Sequence, residues 1–321
     1  MDPRMQAAMQ RAMADVAHFT QQIKPEEEDP NKLIKFGKIL SAIVTCPNAP
    51  KIQPPTQHNL EPLQKVLDDL DALDSDAMDA WKSGGEGARQ SVLLLLYQLN
   101  QQRPNFQVDL ASDAADHAEK ILAFATKLLM QAQVYLPNAK WVQPTLAVAR
   151  ASALIANSLW SHTDEVALAK MNEILDADGL PPPKLALKIC AYPKDSSPSD
   201  GTCEVLPKGH VTLDVQLTRE HAGPPKEGSE CPNPQGIWEA YWLYVEAHKP
   251  EGTQNTLMIA QPMVVKDTTE SVVKANITFG VPPDPGSYTL SVHIVSTSVI
   301  GIEMSESLTF AVVEDDVPDL A

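Results

Sequence analysis

The chain has 321 residues, 43% hydrophobic and 21% charged, with a formal net charge of -17. That length suggests about two domains with ordinary buried cores. The acidic balance makes free nucleic acid and anionic lipid surfaces poor partners, because the phosphate contribution to affinity needs clustered Lys and Arg, and a basic protein segment is the better expectation.

The first half reads as helical. Met5–Ile23 is rich in Ala, Gln and Met and predicts a helix, which Pro25-Glu-Glu-Glu-Asp-Pro30 ends because proline at both ends of an acidic run disfavours continuation. Lys32–Val44 carries Leu33, Phe36, Ile39, Leu40 and Ile43 at helical spacing, and Cys46–Pro55 is a proline-rich connection. Asn59–Trp81 predicts an acidic helix starting near Asn59 and Pro62, and Ser83–Gly87 breaks it. Ala88–Asn100 contains the longest apolar run, Val92–Tyr97, and predicts a buried helix. Ser112–Leu136 places Ala118, Ile121, Leu122, Ala125, Leu128, Leu129 and Ala132 on one stripe, the clearest helical period in the chain. Pro144–Trp160 predicts a further helix with proline in its first turn, and Ala147, Ala151, Ala153 and Ala156 would let neighbours approach closely. Asp164–Leu175 predicts a short helix, and Pro181–Pro183 closes this half, so the boundary is expected within Leu180–Lys184.

The second half reads as strands. Leu185–Tyr192 opens it, and His210–Leu217 alternates, with Val211, Leu213, Val215 and Leu217 on one face. Asp195–Gly201 and Ala222–Gly236 are turn-rich. Trp238–Val245 is an aromatic run, followed by apolar segments Leu257–Val265, Val272–Phe279 and Tyr288–Val295 separated by turn residues. Short β-rich runs of this kind predict an antiparallel β-sandwich. By strand parity Trp242 and Tyr244 share one face, and Tyr241 and Leu243 the other; one face must fill the core.

Chemical motifs are sparse. Cys46, Cys190, Cys203 and Cys231 are widely spread, without a CxxC pair, which argues against a zinc ribbon or redox dithiol and suits a reducing compartment. The acidic run Glu61, Asp68, Asp69, Asp71, Asp74, Asp76 and Asp79 lacks the spacing and glycine of a calcium loop, so a solvated helix face is expected. Gly84-Gly-Glu-Gly87 lacks the Gly-Lys-Ser/Thr of a phosphate loop. His117, beside Asp113 and Asp116, is expected to be a surface histidine, and the glycosylation-type triplet Asn276-Ile-Thr278 is expected to be unused without an export signal. No signal peptide is visible and no run approaches the ~18 apolar residues of a membrane helix, so the chain is expected to be soluble. Neither a catalytic constellation, a cofactor site nor a metal site is expected.

The order of motifs resembles a known family. Tyr241-Trp-Leu-Tyr-Val245 is followed by Leu257-Met-Ile-Ala260, then Lys266-Asp-Thr-Thr-Glu270, Pro282/Pro283 with Pro285-Gly-Ser-Tyr288, and Ser296-Thr-Ser-Val-Ile-Gly301. Upstream stand Trp141-Val-Gln-Pro-Thr-Leu-Ala147 and the strand His210–Leu217 with Thr218-Arg219. Together they resemble the Sec63 (Brl) domain of the endoplasmic reticulum translocon J-protein and of spliceosomal RNA helicases, over roughly Leu60 to Val313. Asp164-Glu-Val-Ala-Leu168 replaces the family's Leu-Leu-Gln-Leu-Pro-His turn, and Val299-Ile300 departs from its Ser-x-Ser-Tyr-x-Gly pattern. None of the eight histidines is followed by Pro-Asp, so J-domain stimulation of an Hsp70 is not expected of this sequence, which the resemblance implies is either a fragment of such a protein or a soluble relative.

The residue pattern predicts an N-terminal helical extension and proline-rich linker (1–58) and an acidic tail (316–321), and with the resemblance it implies a helical bundle (59–180) followed by an immunoglobulin/fibronectin-type-III-like sandwich (185–315). The resemblance implies a non-catalytic scaffold of protein translocation at the cytosolic face of the endoplasmic reticulum, or in the cytoplasm, that binds cytosolic loops of the channel or its accessory membrane subunits without inserting in the membrane. Trp238, Tyr241, Trp242, Tyr244, Ser296, Ser298 and Gly301 are the residues expected to bind the partner. The alternative is a regulatory cassette in an RNA-remodelling assembly, which would need a basic path.

Overall fold

The computed structural model describes residues 2–51, 86–101, 112–159, 169, 183–197, 203–231, 233–297 and 301–314. The predicted helices at Asn59–Trp81 and Asp164–Leu175, the carboxylates of the acidic run, Trp160, Ser298 and the acidic tail lie outside them. The chain divides into two compact units, Met1–Lys170 and Met171–Ala321. No helix among the described residues is long and apolar enough to cross a membrane.

Five helices are described in the first unit: α1 (Pro3–Gln22), α2 (Phe36–Val44), α3 (Glu86–Asn100), α4 (Ser112–Ala139) and α5 (Val142–Ala156). Asp2 starts α1 by accepting from the Arg4 backbone N–H at 2.9 Å, with Pro3 in the first turn. Helix α2 begins at Phe36, later than the periodicity predicts, and leaves Leu33 66% exposed. Every residue of Val92–Leu96 on α3 is buried, as expected of an apolar run with no polar face. The α4 stripe is buried as predicted, except for Leu122, which is half-buried. On α5, Ala147 and Ala151 are buried, but Ala156 is exposed at the end of the helix. Helix α4 packs on α1, α3 and α5, and one apolar core joins all five helices. The Cys46 thiol lies in that core, where burial and the nearby Asp15 charge push it up to about 12.

Eight strands are described in the second unit: β1 (Leu185–Pro193), β2 (Cys203–Val205), β3 (His210–Arg219), β4 (Glu239–Ala247), β5 (Thr256–Val265), β6 (Val272–Gly280), β7 (Gly286–Ser296) and β8 (Glu303–Val312). They form a three-stranded sheet, β1-β3-β6, and a five-stranded sheet, β2-β8-β7-β4-β5. Their facing residues share one core. Val211, Leu213, Val215 and Leu217 of β3 meet a cluster that includes Tyr241, Leu243 and Val245 of β4 and Leu290, Val292 and Ile294 of β7. Period-two patterning therefore becomes two apolar faces turned toward each other. One pairing departs from the antiparallel expectation: β2 runs parallel to β8, Cys203 opposite Phe310. Neither strand stands out in the sequence, β2 because it has three residues and β8 because five of its ten residues are exposed.

Candidate partner-binding site

The ends of β3 and β4 meet in a buried ionic network. Arg219, the last residue of β3, is 2% exposed, and Glu239, the first of β4, is 3% exposed. The guanidinium of Arg219 donates to both carboxylate oxygens of Glu239, with Nε at 3.0 Å from Oε2 and Nη2 at 2.5 Å from Oε1. Its Nη1 donates to the carbonyls of Thr268 and Glu270 in the turn after β5. Tyr241 donates its hydroxyl to Glu239 Oε2 at 2.5 Å, and His221 Nε2 lies 3.0 Å from Oε1. Burial alone would raise the Glu239 pKa; hydrogen bonds from His221, Arg219 and Tyr241, with the charge of Arg219, outweigh it and hold the carboxyl at about 2. The bond to Glu239 in turn raises the His221 pKa against the effect of burial. A bidentate pair with further hydrogen bonds to both partners is the form in which two charges tolerate removal from water. The network ties β3 of one sheet to β4 of the other.

On the outer face of the five-stranded sheet, pairing builds cross-strand rows. Trp242 lies opposite Val295, which lies opposite Glu303. Tyr244, His293 and Ser305 form the next row, and Glu246, Ser291 and Ser307 the third. Trp242 and Tyr244 stack with ring centroids 5.9 Å apart and planes 11° apart. His293 Nε2 lies 2.8 Å from Glu246 Oε2, and Ser305 Oγ lies 3.1 Å from His293 Nδ1. Asn255 donates to the other Glu246 oxygen at 2.6 Å, and His248 Nε2 lies 2.7 Å from Ser291 Oγ, itself 2.7 Å from Ser307 Oγ. Burial raises the Glu246 pKa, but the bonds from His293 and Asn255 prevail and lower it. Glu303, Ser305, Ser307 and Thr309 are exposed along β8. The face thus offers a half-buried indole at one end of a strip of carboxylate, hydroxyl and imidazole groups. Such a strip can bind Lys and Arg side chains by charge-assisted hydrogen bonds and by stacking on the indole.

Comparison with protein families adds one decisive match: the Sec63 Brl domain profile covers residues 80–309 of this chain. The chain belongs to the Sec63 Brl domain family. As a Sec63-type module it shares a domain that occurs in translocon and helicase-associated proteins. No curated protein matches it. Among solved structures it is similar to Pseudomonas fluorescens alkylpurine DNA glycosylase AlkC bound to DNA containing an abasic site analog, at 10% identity and a TM-score of 0.21, over 89% of this chain and 78% of that one. A likeness of that size carries no argument about this Sec63-type chain.

The Sec63 motifs now have physical roles. Arg219 anchors the Lys266–Glu270 turn, where Asp267 accepts from the Thr269 backbone N–H and hydroxyl at 2.9 Å and 2.6 Å. Tyr288 braces the turn before β7 by donating to the Asp284 carbonyl at 2.8 Å, and its ring stacks on Phe310. Gly301, at φ 75, supplies the left-handed residue of the β7–β8 connection.

The expected partner-binding residues do not converge on one surface. Tyr241 is 2% exposed and lies in the shared core, its hydroxyl engaged by Glu239, so it offers nothing to a partner. Tyr244 points to the opposite face yet is buried, and Ser296 is buried at the end of β7. Trp238 and Trp242 are half-buried, Gly301 is exposed, and Ser298 lies outside the described residues. His117 is half-buried on α4 and not fully at the surface. Sequence reasoning missed Arg219, His221, Glu239, Glu246 and His293. A charged residue at the start of an aromatic strand was the available signal for Glu239; the others need the register.

Proposed function

We propose that this Sec63-type module is a non-catalytic scaffold of protein translocation at the cytosolic face of the endoplasmic reticulum. Its β unit, taken as an immunoglobulin/fibronectin-type-III-like sandwich, docks basic cytosolic loops of the channel or of its accessory subunits. The supporting observation is the Sec63 Brl match over residues 80–309, joined to an outer sheet face that carries Trp242 and the exposed Glu303 in one cross-strand row, with Val295 between them. A basic loop fits such a strip, and the net charge of -17 favours its approach. A cassette acting on RNA would need a basic path instead.

The test is a fluorescence-anisotropy titration of the whole chain with a basic channel-loop peptide. Binding is expected, and Trp242→Ala and Glu303→Lys are each expected to weaken it by about tenfold or more, equivalent to ~1.4 kcal/mol. A peptide affinity unmoved by both substitutions would overturn the assignment of the face. Single-stranded RNA bound well below the ~10⁻⁴–10⁻⁶ M range of non-specific contacts, at physiological salt, would favour the helicase-associated role.

A further inference from the structure

The helical unit carries an apolar groove that the proposed translocation surface does not use. It lies between α1 and α4, encloses about 610 Å³, and is lined by Met9, Met13 and Val16 of α1 with Met130, Val134 and Tyr135 of α4. No charged side chain is in its lining among the described residues. Met13 is 61% exposed and Val134 71% exposed, and Met5 extends the α1 stripe by one further turn. Isolated exposed apolar residues need no explanation, but a contiguous concave set does. Methionines add a specific property: unbranched and polarizable, they repack around different apolar anchors.

The rim says what kind of occupant fits. Lys127 stands one turn before Met130 and Gln131 on α4, Lys140 follows the lining residue Asn138, and both lysines are exposed. Gln6 and Gln10 flank the α1 side. The carboxylates of α1 are engaged elsewhere. Asp2 caps the helix, and Asp15 is buried, accepting from the Asn48 backbone N–H at 2.9 Å and its side-chain amide at 3.1 Å. The groove is therefore edged by positive charge in a chain of net charge -17. Pairing with a second copy groove to groove would set these lysines against their equivalents, and a basic segment would meet the same repulsion.

We propose that the α1–α4 groove binds an acidic amphipathic helix of a partner protein, seating large apolar side chains spaced three or four residues apart among the methionines and placing carboxylates against Lys127 and Lys140. The mode is helix-in-groove recognition, distinct from the docking of a basic loop on the β unit. It makes the protein an adaptor with two docking surfaces of opposite charge preference, one on each unit.

The probe is a pair of fluorescein-labelled amphipathic helical peptides with identical Leu and Phe anchors, one with Glu on its polar face and one with Lys. The whole chain, with its methionine methyls labelled by carbon-13, is titrated with each. The acidic peptide is expected to bind at least about tenfold more tightly than the basic one and to shift the methyl signals of Met9, Met13 and Met130. Met13→Glu and Val134→Glu, both at exposed positions, are expected to weaken it about tenfold or more with circular dichroism unchanged, and Lys127→Glu with Lys140→Glu is expected to reverse the charge preference. Equal affinity for the two peptides would overturn the proposal, as would binding that leaves the three methyl signals in place. Concentration-dependent dimerisation abolished by Met13→Glu would assign the groove to a second copy. Flotation with anionic vesicles abolished by the same substitution, without peptide binding, would assign it to a membrane surface.

Discussion

Glu239 is the residue on which the β unit depends most strongly for its electrostatics. Its folded pKa of about 2 lies below the ordinary carboxylate value of 4.5, so its contribution is complete above the unfolded pKa and is lost as pH falls toward 2. A shift of that size is worth about 3 kcal/mol. His221 has the opposite sign: its pKa is raised, so its contribution is complete below about 6.5 and is lost as pH rises through the folded value. Urea midpoints should therefore peak at roughly pH 5–6.5, falling steeply on the acid side and mildly on the alkaline side. Glu239→Gln should flatten the acid limb and cost about 3–5 kcal/mol, because it leaves Arg219 buried without its counter-charge. A wild-type profile flat from about pH 3 to pH 6 would show that the pair does not form. Two tyrosines of β4 supply a contrast. Tyr241 donates to a buried carboxylate, and Tyr241→Phe should cost about 1.5–3 kcal/mol. The buried Tyr244 hydroxyl has no hydrogen-bond partner among the described residues, and Tyr244→Phe should leave stability unchanged or raise it by about 1 kcal/mol in the same denaturation assay.

At the scale of elements, periodicity was legible on α4 and β3, where an apolar stripe recurs at the element's own period. The α4 stripe and the β3 alternation were readable from residue spacing alone, and both stripes are core in the structure. Leu129→Ala on α4 and Leu243→Ala on β4 should each cost about 2–5 kcal/mol by thermal or chemical denaturation; a loss well under ~1 kcal/mol would mean the core collapses around the gap. The residues expected to bind a partner were placed less well. Parity correctly separates Trp242 and Tyr244 from Tyr241 and Leu243, but does not say which pair meets the core; Tyr241 with Leu243 does. The row Tyr244–His293–Ser305 joins three strands and appears only once the register is known. Arg219 and Glu239 look like ordinary polar strand ends in sequence. Their burial follows from the convergence of two sheet corners with the turn at Thr268, a tertiary fact without local period.

For the whole molecule the sign of charge is the readable quantity. Contact between an acidic strip and a basic loop should weaken as salt rises from low to physiological ionic strength and beyond, where the Debye length shrinks from about 30 Å to about 8 Å. Affinity measured across that range by anisotropy should fall; an affinity independent of salt would place the apolar indole, and not the carboxylates, at the centre of the contact. A basic loop and an RNA strand call for surfaces of opposite sign, which is why charge discriminates between the two roles where the fold does not.

The parallel pairing of β2 with β8 carries a kinetic consequence. Contacts in the helical unit include the sequence neighbours α4 and α5, whereas Cys203 must find Phe310. Topologies rich in distant pairings search longer before any ladder bond rewards the closure, so the β unit should fold in milliseconds to seconds while α4 and α5 associate much sooner. A strand of three residues contributes few bonds once it docks. In native-state amide exchange, β2 should be the first described strand to open, at a free energy far below that of global unfolding, and its separation would uncover the edge of β8 while the rest of the sheet stays closed.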